Sequence, residues 1–180
     1  KGRKASLMAI MLIQTIPTFA GITAFFTMHS IVSSVIPAFS RQMMLILIYA
    51  GPAIASNTFI LQGYIDSVST ELDDAAKIDG CSNFDIYRLI IMPNARPMLT
   101  IIALWSFIGP FMDYLLAKVL LTSPSTYTLA VGLFTLISDF RTMNQPAFAA
   151  GGLLTAIPIV IMFVVLQKQL VSGLTSGSVK

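Results

Sequence analysis

Four long stretches of this chain, 5–28, 43–61, 98–121 and 147–166, contain almost no charge. Each is close to the roughly 20 residues that a helix rising about 1.5 Å per residue needs to cross about 30 Å of hydrocarbon. Inside a bilayer no water is available to an unpaired backbone N–H or C=O, so each stretch must close its own hydrogen bonds as a helix. The composition agrees: 56% of residues are hydrophobic, 11% are charged and the mean hydropathy is +0.82, which leaves too little polar surface to coat a soluble domain. The expected fold is all-α, a polytopic membrane helical bundle with four transmembrane helices in a single domain over residues 1–180.

The first stretch is too long for the apolar core of a secretory signal, contains Gln14 and Pro17, and lacks a small-residue cleavage site. Because the chain opens on Lys1, it reads as a piece of a longer protein whose earlier helices are missing. A single cysteine, Cys81, excludes an internal disulfide, and with His29 as the only histidine no metal site is expected. Orientation follows from the basic residues. With four crossings, Lys1, Arg3, Lys4, Lys77, Arg88, Arg96, Lys168 and Lys180 share one side and Arg41, Lys118 and Arg141 the other, which places both ends and segment 62–97 in the cytoplasm.

Segment 62–97 reads as a helix-turn-helix. Thr70 and Asp73 have N-cap spacing, and Glu71, Asp73 and Asp74 bring negative charge to the positive end of the helix dipole. Gly80 ends the first helix, Ser82 and Asp85 repeat the capping pattern, and the second helix runs through Phe84, Tyr87 and Ile91 until Pro93 ends it. A nucleic-acid role is disfavoured, since six acidic residues against three basic ones would repel phosphate. A merely solvated loop is the plainer alternative. On the opposite side, loop 122–146 holds an apolar run, 127–140, that is too short to cross and fits an interfacial or re-entrant helix.

Asp74-Ala75-Ala76, Gly80 and Ile90-Ile91-Met92-Pro93, set between apolar runs, resemble the "EAA" signature of ABC-importer permeases. With Tyr127-Thr128-Leu129-Ala130-Val131-Gly132 and the ending Gly173 to Lys180, the whole chain resembles the C-terminal part of a carbohydrate permease of the maltose-type inner-membrane family. Asp74 stands where the signature usually has Glu, and Met92 where it has Leu.

The resemblance implies a transport subunit rather than an enzyme. Its partners would be a second homologous permease, two ATP-binding subunits that hold ATP and Mg, and an extracytoplasmic solute-binding protein, all at a bacterial cell membrane. Residues Asp74, Ala75, Ala76, Gly80, Phe84, Tyr87, Ile90 and Pro93 would form the ATPase-coupling surface. The sequence has no Gly-rich phosphate loop ending in Gly-Lys-Ser/Thr, so the nucleotide would be bound by another chain and no cofactor by this one.

Asp113 lies within the third apolar run, where a lipid-facing carboxylate would cost about 2.5–3.5 kcal/mol or more. It must face a pathway or a neighbouring helix. Trp105 and Tyr114 offer aromatic faces of the kind that stack on sugars, and Asn57 adds an amide near the Gly51-Pro52 kink, so Asp113, Trp105, Tyr114 and Asn57 are the candidate substrate-pathway residues. Capping and packing are the alternative roles. Ala147, Ala150, Gly151, Gly152 and Ala156 form a small-residue patch suited to close helix approach, and the Gly/Ser-rich segment after Val171 is expected to be loose. The resulting expectation is uptake of a maltodextrin-like oligosaccharide by an ATP-driven importer. A permease for a polyol or glycerol phosphate, an ion-coupled secondary transporter and a purely structural membrane scaffold are the alternatives.

Overall fold

The structure, a computed structural model, describes residues 2–15, 17–18 and 20–176, excluding the side chains of Arg3 and of 170–176. Among the described residues every regular element is helical. The stretch expected as the first crossing holds two shorter helices, α1 (Arg3–Thr15) and α2 (Ile22–Val35). Pro17 lies between them; it has no N–H to give to a continuous helix and its ring disfavours the helical turn before it. At 13 and 14 residues each helix is about 20 Å long, short of the bilayer core.

Among the described residues three helices are long and apolar enough to cross: α3 (Arg41–Asp66), α5 (Asn83–Met112) and the Gln145–Gln169 part of α8 (Gln145–Ser176). α4 (Glu71–Ile78) joins the first two, while α6 (Leu115–Leu120) and α7 (Leu129–Thr135) lie between α5 and α8. The tail expected to be loose after Val171 stays helical to Ser176, and 177–180 lie outside the described residues.

The third apolar run differs most from expectation. Instead of a helix over 98–121, α5 begins at Asn83 and stops at Met112, and the chain restarts as α6 after Asp113 and Tyr114. The Asp113 carboxylate accepts the Ala117 N–H at 3.1 Å, so the acid supplies a helix start inside an apolar stretch.

The chain divides into two compact units. In the unit made of Lys1–Ala55 and Phe107–Val160, the core gathers Met44, Leu45 and Ile48 of α3 around Leu116, Ala117 and Leu120 of α6, with Val131 of α7 fully enclosed. α7 is capped by the Thr128 hydroxyl, which accepts the Val131 N–H, and it is shorter than the interfacial helix expected over 127–140. A Cβ on Gly151 of α8 would clash with the Leu133 side chain of α7, so this part of the small-residue patch is filled within the chain.

In the other unit, Ser56–Ser106 with Ile161–Lys180, contacts between helices are polar as well as apolar. Tyr64 of α3 donates to the Asn94 carbonyl of α5 at 3.0 Å, and buried Thr100 of α5 bonds to Gln169 of α8. Ala95, 2% exposed, lets the helices approach closely.

Candidate functional site

The polar segment between α3 and α5 folds as a compact elbow. Gly80 has φ +80°, a left-handed conformation that only glycine adopts without strain. It lets the Gly80 N–H reach the Lys77 carbonyl and the Cys81 N–H reach that of Ala76, the paired bonds of a Schellman stop. Ser82 then opens α5 with a complete capping box: its hydroxyl accepts the Asp85 N–H at 3.3 Å, and the Asp85 carboxylate accepts the Ser82 N–H at 3.0 Å. Only Cys81 separates the stop at Gly80 from the start at Ser82, leaving little freedom in the angle between the helices.

The start of α4 differs from expectation. Thr70 has helical backbone angles and its side chain caps nothing; Ser69 accepts the Glu71 N–H instead at 3.2 Å. A residue already inside the turn cannot aim its hydroxyl back at the orphan donors. Glu71, Asp73 and Asp74 do occupy the first turn, and Asp74 pairs with Lys77 at 3.0 Å across an exposed face.

Pro93 does not end the second helix. The chain passes through Pro93 and Pro97 as one helix, preceded by a π-turn over Tyr87–Ile91 in which the Met92 N–H bonds to the Tyr87 carbonyl. Pro93 has no N–H to give, and its ring crowds the carbonyl four residues back; widening the preceding turn relieves that crowding. The Asn94 side chain completes the repair by donating to the Ile90 carbonyl at 2.9 Å.

The expected coupling residues come together on this elbow. Asp74, Ala75, Gly80, Phe84, Tyr87 and Pro93 are exposed, Ile90 is half-buried, and Ala76 faces inward at 5% exposure. Ile78 and Phe84 project furthest, 86% and 66% exposed, beside Leu72. Large apolar side chains left uncovered on an acidic elbow mark a contact surface.

The four pathway candidates are divided between the two units. Asp113 and Tyr114 belong to the first unit, where Asp113 accepts the Tyr49 hydroxyl at 2.7 Å and Tyr114 packs against Phe134 with ring centroids 4.2 Å apart. Asn57 and Trp105 belong to the second, where Asn57 donates to Ser106 at 2.9 Å and Trp105 is 68% exposed. Tyr49 and Ser106, which hold Asp113 and Asn57, went unrecognised in the sequence; the only signal was a polar tip recurring within an apolar run.

Comparison with known proteins identifies the framework. The chain is 45% identical over 179 residues to the maltodextrin transport system permease protein MdxG of Bacillus subtilis (strain 168), covering 99% of this chain and 63% of that protein. The galactooligosaccharides transport system permease protein GanQ of the same organism is 42% identical over 180 residues, 100% of this chain and 62% of its own length. The maltodextrin transport system permease protein MalD of Streptococcus pneumoniae (strain ATCC BAA-255 / R6) is 42% identical over 178 residues, 99% and 62% respectively. This chain thus spans less than two thirds of these relatives. The family described as binding-protein-dependent transport system inner membrane component matches residues 1–175, and together with the three membrane-length helices this shows that the chain belongs to that family of multi-pass membrane proteins.

Proposed function

We propose that this chain is a membrane permease segment of an ATP-driven importer of carbohydrate, with a maltodextrin-like oligosaccharide as cargo. Support for the cargo comes from the relatives, two of them named for maltodextrin and one for galactooligosaccharides. The observation that carries the mechanism is the elbow: a Schellman stop and a capping box two residues apart, presenting exposed Ile78 and Phe84. Such a joint transmits force instead of flexing.

In this reading Asp74, Ala75, Ala76, Gly80, Phe84, Tyr87, Ile90 and Pro93 form the seat for an ATP-binding subunit, one of two that bind ATP and Mg. A second homologous permease completes the pore, and an extracytoplasmic binding protein delivers the sugar. The elbow and both ends of this segment lie in the cytoplasm of a bacterial cell. Nucleotide-driven movement of the ATPases pushes the elbow, and α5, which begins at the capping box without an intervening loop, carries that push into the membrane. Asp113, Trp105, Tyr114 and Asn57 remain the residues assigned to the solute path.

The test is Gly80→Leu in the assembled transporter. A side chain at positive φ costs about 1–2 kcal/mol at the turn, so ATP-dependent sugar uptake is expected to fall about tenfold or more while the amount of protein in the membrane is unchanged. Uptake at the unsubstituted rate would show that the elbow transmits nothing.

A further inference from the structure

Where α3 begins, a cavity of about 270 Å³ is lined by Ser40, Arg41, Gln42, Thr122, Ser123 and Thr126. The Arg41 guanidinium is held in it by a hydrogen bond to the Thr122 hydroxyl and by the Phe26 ring, whose centroid lies 5.7 Å away. Among the described residues no carboxylate pairs with Arg41. A guanidinium has five donors, and one bond to Thr122 leaves most of them for another acceptor. The lining is otherwise hydroxyls and an amide, so the chemistry favours an oxyanion. The volume falls below the roughly 300–1,000 Å³ of drug-sized ligand sites, which suits a phosphate-sized group better than an oligosaccharide.

The position says where that oxyanion comes from. Arg41 is the first residue of a membrane-length helix, so the cavity opens at the level of lipid headgroups. Directly along α3, Met43, Ile46 and Leu47 are 49%, 64% and 58% exposed at i, i+3 and i+4 spacing, and Gln42 stacks above Ile46 one turn away. A polar, cationic cavity thus continues into an apolar stripe running into the bilayer, the profile of an amphiphile with an anionic head.

We propose that this cavity is a binding site for an anionic phospholipid, its phosphate held by Arg41 and the surrounding hydroxyls and its acyl chains lying on Met43, Ile46 and Leu47. The assignment does not depend on which solute is carried. The site fixes the start of α3, because the bound phosphate would tie Arg41 to the Thr122–Thr126 segment.

The experiment uses the intact permease in its assembled complex, purified in detergent with phosphatidylglycerol or phosphatidylcholine added and examined by native mass spectrometry. Preferential retention of phosphatidylglycerol is expected, falling about fivefold in Arg41→Gln, being kept in Arg41→Lys, and unchanged in Arg141→Gln as a control for general loss of positive charge. Phosphatidylglycerol retention in Arg41→Gln equal to that of the parent overturns the proposal. So does full displacement by millimolar inorganic phosphate, which would make the cavity a free-anion site, or cross-linking of a benzophenone at Gln42 to a solute-binding protein instead of to lipid.

Discussion

Asp113 exemplifies a charged residue whose position in the sequence misstates its setting. Read along the chain, it sits in the middle of an apolar run; in the fold it occupies a break, accepting the Tyr49 hydroxyl and the Ala117 N–H with one oxygen. A carboxylate is preferred over an amide there because it accepts from both donors without presenting N–H groups of its own. Asp113→Asn is therefore expected to destabilise the unit by about 1–3 kcal/mol, and Tyr49→Phe by about 0.5–1.5 kcal/mol, measured as loss of thermal stability of the purified complex. If both changes leave the melting temperature unmoved, the pair does not anchor the start of α6. The carboxylate's need for partners was legible from its apolar surroundings. Its partner was not, since Tyr49 lies 64 residues away and nothing local distinguishes it from the other aromatic residues of the chain.

At the scale of elements, local signals succeeded where the hydrogen bonds are local. Gly80 and the Ser82–Asp85 pair act within four residues of themselves, and both form as their spacing predicts. Thr70–Asp73 has the same spacing and fails, because the chain enters α4 one residue earlier than the pattern suggests and Ser69 takes the part. Pro17 and Pro93 show why proline is an ambiguous stop. The first falls between two helices, whereas the second is accommodated by a π-turn and an Asn94 side-chain bond that only the folded chain supplies. Removing the cap with Ser82→Ala is expected to weaken the first turn of α5 by about 1 kcal/mol. Hydrogen exchange of the Asp85 amide should speed up accordingly, and unchanged protection would mean that tertiary packing alone holds this turn.

For the molecule as a whole, hydropathy located the long apolar stretches but not the breaks within them at Pro17 and Asp113, because apolar content does not register a local interruption of the helix. The consequence for topology is testable. α3 and α5 are consecutive membrane-length helices joined by the elbow, and Arg41 at the start of α3 is bonded to Thr122 beyond the end of α5. The proposed topology, with the elbow in the cytoplasm, predicts that Ile78 and Ser125 face opposite sides of the bilayer. With Cys81 replaced by serine, single cysteines at these exposed positions should react with a membrane-impermeant maleimide from opposite faces, Ser125→Cys in intact cells and Ile78→Cys only in inverted vesicles. Labelling of both in intact cells would refute the cytoplasmic elbow.

The π-turn at Tyr87–Ile91 has a further implication. It holds one residue more than a regular turn needs, and one residue of α-helix corresponds to about 100° of rotation about the axis. If that surplus slid along the rod, the stretch it traversed would swivel by a quarter-turn or so while the capped entry stayed in place. In the proposed mechanism such a slide would make α5 work like a screw, turning thrust at its foot into a change in which side chains look toward its neighbours.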